Sequence, residues 1–280
     1  MITMVLTEAC FGKSLVCERG IMTSTPIEYF NDYVATINPS GASSIVLACE
    51  HASSYIPAAY NALGLTAEDQ SSHAAWDPGA LGVAQNLSHL LNAVLVASQA
   101  SRLLYDCNRP PSATSAMPTR SELIDIPGNK DLTATEKSQR FKLFYEPFRE
   151  QLHQAMMRRP DPILVTVHSF TPVYFGKPRA LKIGILHDAD TRLADAILDI
   201  SNEERDKNIK RNAPYGPEDG VTHTLQEHAI ARGHLNVMLE IRNDLIATDD
   251  QQNTMAKMIA KWIDRACSRL GVPGDVQCRA

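Results

Sequence analysis

The chain has 280 residues, of which 44% are hydrophobic and 21% are charged, and these proportions are ordinary for a globular protein. This length suits one large domain that buries a substantial apolar core without disulfide staples. The formal net charge of −5 provides no positive field and argues against nucleic acid or an anionic membrane as a partner. We therefore expect a soluble, enzyme-sized domain that acts on a small molecule.

The N-terminal segment and the cysteines bear on the location of the protein. The first 21 residues contain only short apolar pieces between charged side chains, so they predict neither a signal peptide nor a membrane span. The six cysteines are scattered singly with no CxxC pair, so we expect reduced thiols and a cytoplasmic location. We interpret residues 1–22 as a disordered or non-native extension and residues 23–280 as a single catalytic domain.

Short β-branched apolar runs alternate with segments whose apolar residues recur every three or four positions, which predicts buried strands and amphipathic helices. In chain order these are a strand at 44–49, a helix at 77–92, a strand at 93–98, a helix at 133–157, strands at 163–168 and 181–186, a helix at 190–204, a strand at 235–241 and a helix at 253–270. This order predicts a single α/β domain with a mixed, mostly parallel sheet and helices on both faces. Residues 110–133 lack periodicity, and we interpret them as a long functional loop.

Ionisable side chains stand at the ends of four predicted strands. In parallel α/β folds the ligand site lies outside the carboxyl ends of the strands, so we expect these side chains to meet at one sheet edge. They are Glu50 with His51, Arg102, His168, and Glu240 with Arg242.

Two of these residues, His51 and His168, suggest a metal site. Two imidazoles at one sheet edge suit zinc, which in catalytic sites usually has three protein ligands; hydrogen bonding without a metal is the alternative. An HxxE motif at His51 would require glutamate at position 54, where the chain has Ser54. The third ligand is then Asp77 or Glu50, and strand alternation favours Asp77, because Glu50 should point away from His51. We predict one divalent metal, zinc, at His51, Asp77 and His168.

The run SRLLYDCNRP (101–110) concentrates polar side chains directly after a strand. Guanidinium groups bind carboxylates in a bidentate fork, so Arg102, Asn108 and Arg109 are candidates for holding a small acidic substrate. A solvated loop with surface ion pairs is the alternative. Arg242, after the last strand, and His223, in the segment PYGPEDGVTHTLQEH (214–228), are further candidates for substrate binding.

Glu240 interrupts the otherwise apolar run LNVMLEI (235–241). A charged residue in a buried strand must be paired, desolvated or functional. A carboxylate in the cleft can accept a proton from water and pass it to a leaving amine, which predicts that Glu240 is the catalytic base. A buried salt bridge to Arg242 or Arg102 is the alternative.

Six motifs follow one another along the chain: CEHASSYIP (49–57), DPGA (77–80), SRLLYDCNRP (101–110), VHSF (167–170), PYGPEDGVTHTLQEHA (214–229) and MLEIRNDLI (238–246). Together they resemble the N-formylglutamate amidohydrolase family in its shorter bacterial form. The resemblance implies a phosphorylase/hydrolase-like fold related to the zinc carboxypeptidases and aspartoacylase. It also implies metal ligands His51 and His168, carboxylate-binding Arg102, Asn108 and Arg109, and catalytic base Glu240.

The implied reaction is metal-dependent hydrolysis of N-formyl-L-glutamate to L-glutamate and formate, as in histidine breakdown. Ser54 departs from the family pattern at the expected ligand position. Two other functions therefore stay open. The chain could be a deacylase for another N-acyl amino acid, or a non-catalytic binder of small carboxylates that has lost its metal.

Overall fold

A computed structural model describes residues 27–203, 207–272 and 275–278. The predicted extension at residues 1–22, with Cys10 and Cys17, lies outside the described residues. The other four cysteines, in the described part, are free thiols. None of the described helices is both long and apolar enough to cross a membrane.

The strands of the described chain form one large sheet and two small hairpins. They are β1 (Ile27–Asn31), β2 (Val34–Ile37), β3 (Ile45–Cys49), β4 (Val94–Ser98), β5 (Arg120–Ser121), β6 (Ile124–Asp125), β7 (Ile163–Phe170), β8 (Val173–Tyr174), β9 (Lys177–Pro178), β10 (Ile183–Leu186), β11 (Ile209–Arg211) and β12 (Asn236–Arg242). The large sheet has the order β1-β2-β4-β3-β7-β12-β10-β11, while β5 pairs with β6 and β8 with β9.

The four central strands, β4, β3, β7 and β12, are mutually parallel, so their carboxyl ends share one edge of the sheet. All five predicted strands are present within two residues of their expected ends. The strand β10 is antiparallel to β12, which makes the sheet mixed, as predicted. The connection from β7 to β10 contains no helix, and a parallel return would need a longer crossover. The strands β1, β2 and β11, at the two ends of the sheet order, were not predicted.

The helices cover both faces of the sheet. They are α1 (Ala67–Ser71), α2 (Ala80–Leu90), α3 (Ala134–Arg140), α4 (Glu146–Met157), α5 (Arg192–Glu203), α6 (His223–His228) and α7 (Asp249–Arg269). The single helix predicted at 133–157 is divided by a wide π-type turn at Phe141–Tyr145. Pro147 accounts for this turn, because it has no N–H to bond back to the carbonyl of Leu143.

Strand alternation divides the sheet residues between two cores. Leu47 and Leu95 pack under α2, α5 and α7, whereas Val46 and Val96 pack on the opposite face with α4 and α6. The prediction of a single α/β domain with a mixed central sheet and helices on both faces is confirmed. A third cluster, which includes Leu103, Leu104, Tyr105 and Phe144, lies beneath the loop that follows β4 and fixes the path of that loop.

Gly184 in β10 provides a test of this packing. A Cβ at this position would overlap the carbonyl oxygen of Ala213, which is backbone and cannot rotate away. We expect Gly184→Ala to lower the free energy of unfolding by about 1–3 kcal/mol, as overpacked sites do. Gly233→Ala is the control, because its Cβ would meet nothing within 4 Å and only its φ of +73° opposes alanine, at about 1 kcal/mol. Urea denaturation measures both, and equal losses would contradict the steric argument.

Candidate active site

A polar cavity of about 280 Å³ opens at the shared carboxyl edge of the central strands. Most of the side chains predicted for the site line this cavity, namely His51, Asp77, Arg102, Asn108, Arg109, His168 and Glu240. Two predicted residues, Arg242 and His223, are absent from the described lining. The sheet edge therefore brings together residues that are far apart in sequence.

Three buried side chains converge at this edge. His51 Nδ1 lies 3.2 Å from Asp77 Oδ2, His168 Nδ1 lies 3.0 Å from the same oxygen, and the two nitrogens are 3.1 Å apart. In a tetrahedral zinc site with bonds of about 2.1 Å, neighbouring ligand atoms are about 3.4 Å apart. The triangle is close to one face of such a tetrahedron, and the group could hold one divalent ion.

The DPGA motif positions Asp77. The Asp77 N–H donates to the His51 carbonyl at 3.0 Å, and its Oδ2 accepts from the Ser169 N–H at 3.2 Å. Gly79, the N-cap of α2, has φ of +81°, and a Cβ there would overlap the carbonyl oxygen of Ile246. The glycine thus allows α2 to start close to the neighbouring backbone and to bring Asp77 to the histidines.

A second carboxylate faces the remaining ring nitrogen of each histidine. Asp106 Oδ1 lies 2.7 Å from His51 Nε2, and Glu50 Oε2 lies 3.2 Å from His168 Nε2. If both Nε2 atoms carry the proton, the Nδ1 lone pairs point at Asp77, as metal-binding imidazoles require. Asp106 had no predicted role, although its position four residues after Arg102 was visible in the sequence.

Arg102 is engaged by the acids of the site. Its Nη2 donates to Asp106 Oδ2 at 2.7 Å and its Nη1 to Asp77 Oδ1 at 3.4 Å. Burial alone would raise the pKa of Asp106, but Arg102 and His51 lower it well below its usual range. The side chain predicted to bind substrate therefore also fixes two buried carboxylates.

The cluster attracts positive charge. Glu50, Asp77, Asp106 and Glu240 are all buried, and their four potential negative charges outnumber the one guanidinium among the described residues, that of Arg102, that pairs with two of them, Asp77 and Asp106. Although burial lowers the pKa of His168, Glu50 and Asp77 raise it well above its ordinary value. This excess of acid, together with the nitrogen and oxygen donors, fits a divalent cation.

Glu240 lies beside the cluster. It is paired in register with His168, is 6% exposed and lines the cavity. Its Oε2 accepts no hydrogen bond from the described residues, and burial raises its pKa to about 7. Arg242 instead contacts Asp244 at 2.8 Å and the carbonyl of Arg179 at 2.8 Å. The salt bridge between Glu240 and Arg242, which was the alternative interpretation, is therefore not formed.

The remaining substrate candidates differ in availability. Arg109 lines the cavity, and no carboxylate in the described part of the chain pairs with it; its Nη1 donates to the Asn108 carbonyl at 2.9 Å. The Asn108 amide is occupied at both ends, by the Val221 carbonyl and the Thr224 N–H. His223 Nε2 lies 2.7 Å from the hydroxyl of Tyr145. Among these candidates Arg109 is the free cation.

The rim of the cavity comes from two loops. Ser121 and Glu122, in the segment 110–133 that we expected to be functional, line it. Glu122 Oε2 lies 2.7 Å from His73 Nε2, and this histidine is also part of the rim. The segment 214–228 contributes Tyr215, Asp219 and Val221, as its motif suggested.

Fold and site define an α/β enzyme with a polar cavity at the carboxyl edge of its sheet. The model of the N-formylglutamate amidohydrolase family matches residues 43–247. The chain therefore belongs to the N-formylglutamate amidohydrolase family and is a hydrolase that acts on carbon–nitrogen bonds.

Two solved structures are similar to the chain. The gene product Atu2144 from Agrobacterium tumefaciens is 49% identical, with a TM-score of 0.84, over 86% of this chain and 97% of that one. The N-formylglutamate amidohydrolase from Ralstonia eutropha JMP134 is 17% identical, with a TM-score of 0.53, over 86% and 99% of the two chains, and shows the fold alone. No curated protein matches the chain.

Metal content tests the His51–Asp77–His168 cluster. We expect the purified protein to bind about one equivalent of a divalent ion. Asp77→Ala should abolish this binding, because Asp77 Oδ2 faces both histidines. His73→Ala is the control, since this histidine lines the same cavity outside the cluster and should leave the metal in place. Elemental analysis after dialysis gives the ratio; undiminished metal in Asp77→Ala would rule out the cluster as the binding site.

The orienting role of Asp106 has a separate test. Asp106→Asn removes the charge that faces His51 Nε2 but keeps the shape of the side chain. We expect metal affinity to fall by about 10- to 100-fold, the usual effect of losing a partner of a ligating histidine. Competition with a chromogenic chelator measures the affinity. An unchanged metal affinity would mean that Asp106 does not orient His51 and that its role is to pair with Arg102.

Proposed function

We propose that the protein is a metal-dependent amidohydrolase that cleaves a small acidic N-acyl amino acid, with N-formyl-L-glutamate as the substrate and L-glutamate and formate as products. The observation that supports this most is the position of Glu240, which lines the cavity beside the His51–Asp77–His168 cluster and whose Oε2 accepts no hydrogen bond from the described residues. Membership of the family supports the same reaction. A cytoplasmic location and a role in histidine breakdown are part of the proposal.

In this proposal one divalent ion, with zinc as the expected element, is held by His51, Asp77 and His168. When bound, the ion would supply Lewis-acid chemistry to the scissile carbonyl and to the attacking water. Asp106 holds the imidazole of His51 in the ligating tautomer through Nε2, and the Glu50 carboxylate lies 3.2 Å from Nε2 of His168. Arg102 keeps the carboxylates of Asp77 and Asp106 in place.

Glu240 moves the proton. Hydrolysis joins the water oxygen to the acyl carbon and breaks the bond from that carbon to the amide nitrogen. Glu240 accepts one proton of the water and delivers it to the nitrogen as the amine leaves. Because the carboxylate is buried and has no competing donor at Oε2, it can serve first as base and then as acid.

Arg109 is the proposed anchor for a substrate carboxylate, because it is the cavity guanidinium with no acid partner in the described chain. Asn108 supports it by holding the backbone at Val221 and Thr224. Direct substrate contacts of Arg242 and His223 stay predictions that this mechanism does not use. Asp77 offers the ligand atom that Ser54 cannot, so we do not favour the non-catalytic binder.

Formate release tests the reaction. We expect the protein to hydrolyse N-formyl-L-glutamate in the presence of a divalent ion and to lose this activity with a chelator. A parallel screen of N-acetyl and N-succinyl amino acids identifies the acyl group. If only those substrates were cleaved, the second candidate, a deacylase for another N-acyl amino acid, would replace the first.

Glu240→Gln tests the proton transfer. We expect kcat to fall by about 10²-fold or more, the scale of general acid–base catalysis, while metal content and Tm stay close to those of the parent protein. Glu146→Gln, at an exposed position in α4, is the matched control and should retain full activity. Near-normal turnover of Glu240→Gln would remove this residue from the mechanism.

A further inference from the structure

Three aromatic side chains, Phe170, Tyr174 and Tyr215, form one wall of the cavity, and Arg179 lies against all three. We propose that Arg179, acting through Tyr215, makes this wall the subsite for an acidic side chain of the substrate, separate from the α-carboxylate site at Arg109. Arg179 was not among the predicted site residues. The inference rests on the proposed amidohydrolase function. It attributes the preference of the enzyme for a dicarboxylate substrate to Arg179 and this wall.

The guanidinium of Arg179 packs against aromatic rings. No carboxylate in the described ranges pairs with it, and its guanidinium carbon lies 4.2 Å from the ring centre of Tyr174, 5.4 Å from that of Tyr215 and 5.5 Å from that of Phe170. Its polar contacts are long, at 3.4 and 3.5 Å to the Tyr215 hydroxyl and 3.5 Å to the Thr171 carbonyl. A half-buried cation with so few partners favours an anion nearby.

Tyr215 connects this cation to the cavity. Its hydroxyl oxygen accepts from the Arg179 guanidinium, so its own proton is left to donate to a group in the cavity. Burial and the nearby Glu240 raise the pKa of Tyr215, although Arg179 opposes them, so the phenol keeps that proton at neutral pH. A carboxylate at the wall could therefore accept from Tyr215 and be attracted by Arg179.

The other arginines leave this role open. Arg102 is engaged by Asp77 and Asp106, and Arg109 alone among the lining arginines has no acid partner in the described chain. A dicarboxylate substrate needs a second cationic partner, and Arg179 contacts the aromatic wall of the same cavity. Arg242 gains an indirect role, because its Nη1 donates to the Arg179 carbonyl at 2.8 Å and so positions the backbone of Arg179.

A pair of near-isosteric substrates tests the assignment. In Arg179→Gln we expect kcat/KM for N-formyl-L-glutamate to fall by about 10- to 100-fold, through KM, which is the range for losing one charge-assisted interaction. The value for N-formyl-L-glutamine, whose side chain is uncharged, should stay within about 3-fold, because the variant then loses no ion pair to the side chain. Arg179→Lys should restore part of the preference, and Tyr215→Phe should reduce it. Arg192→Gln, at an exposed arginine paired with Asp190, is the matched control.

Equal losses on both substrates, or no loss on either, would overturn the assignment. If the parent protein cleaves no N-formyl amino acid, the proposed function fails, and Arg179 is then tested by binding alone. Calorimetry compares L-glutamate with L-glutamine for the parent protein and for Arg179→Gln. A preference for glutamate that the variant loses supports the subsite, whereas equal affinities in the parent protein refute it.

Discussion

The shared carboxylate of Asp77 is the interaction on which the rest of the site depends. One oxygen, Oδ2, lies within 3.2 Å of the Nδ1 atoms of both His51 and His168, while the other faces Arg102. The remaining ring nitrogens face carboxylates of their own, Asp106 and Glu50, which brings more acid into a buried space. The site accumulates negative charge and, as a consequence, affinity for a cation.

The central sheet and the members of the metal cluster could be predicted because both follow from strand order. Apolar runs mark buried strands, and parallel strands end at one edge, so His51, His168 and Glu240 had to lie near one another. Strand alternation favoured Asp77 over Glu50 as the third member of the cluster. In the structure Asp77 faces both Nδ1 atoms, whereas Glu50 faces the outer nitrogen of His168.

Features set by loop conformation could not be predicted from periodicity. The roles of Asp106 and Arg179 depend on the path of the chain after β4 and β7, where no repeating pattern constrains the side chains. The direction of β10 depends on the absence of a crossover helix, and the π-type turn before α4 depends on one missing N–H at Pro147. Arg242 was correctly expected at a strand end, yet its guanidinium turns to Asp244 and the backbone instead of to the cavity.

The three residues of the cluster are far apart in sequence, so binding of an ion to them would depend on folding of the whole domain. Asp77 is 26 residues from His51 and 91 from His168, so an unfolded chain cannot present the three donors together. An ion that binds only the native state stabilises it by about 2.7 kcal/mol at a free concentration 100 times its dissociation constant. Under the proposed metal dependence, the supply of the ion therefore becomes one determinant of how much folded protein persists, even for substitutions far from the cavity.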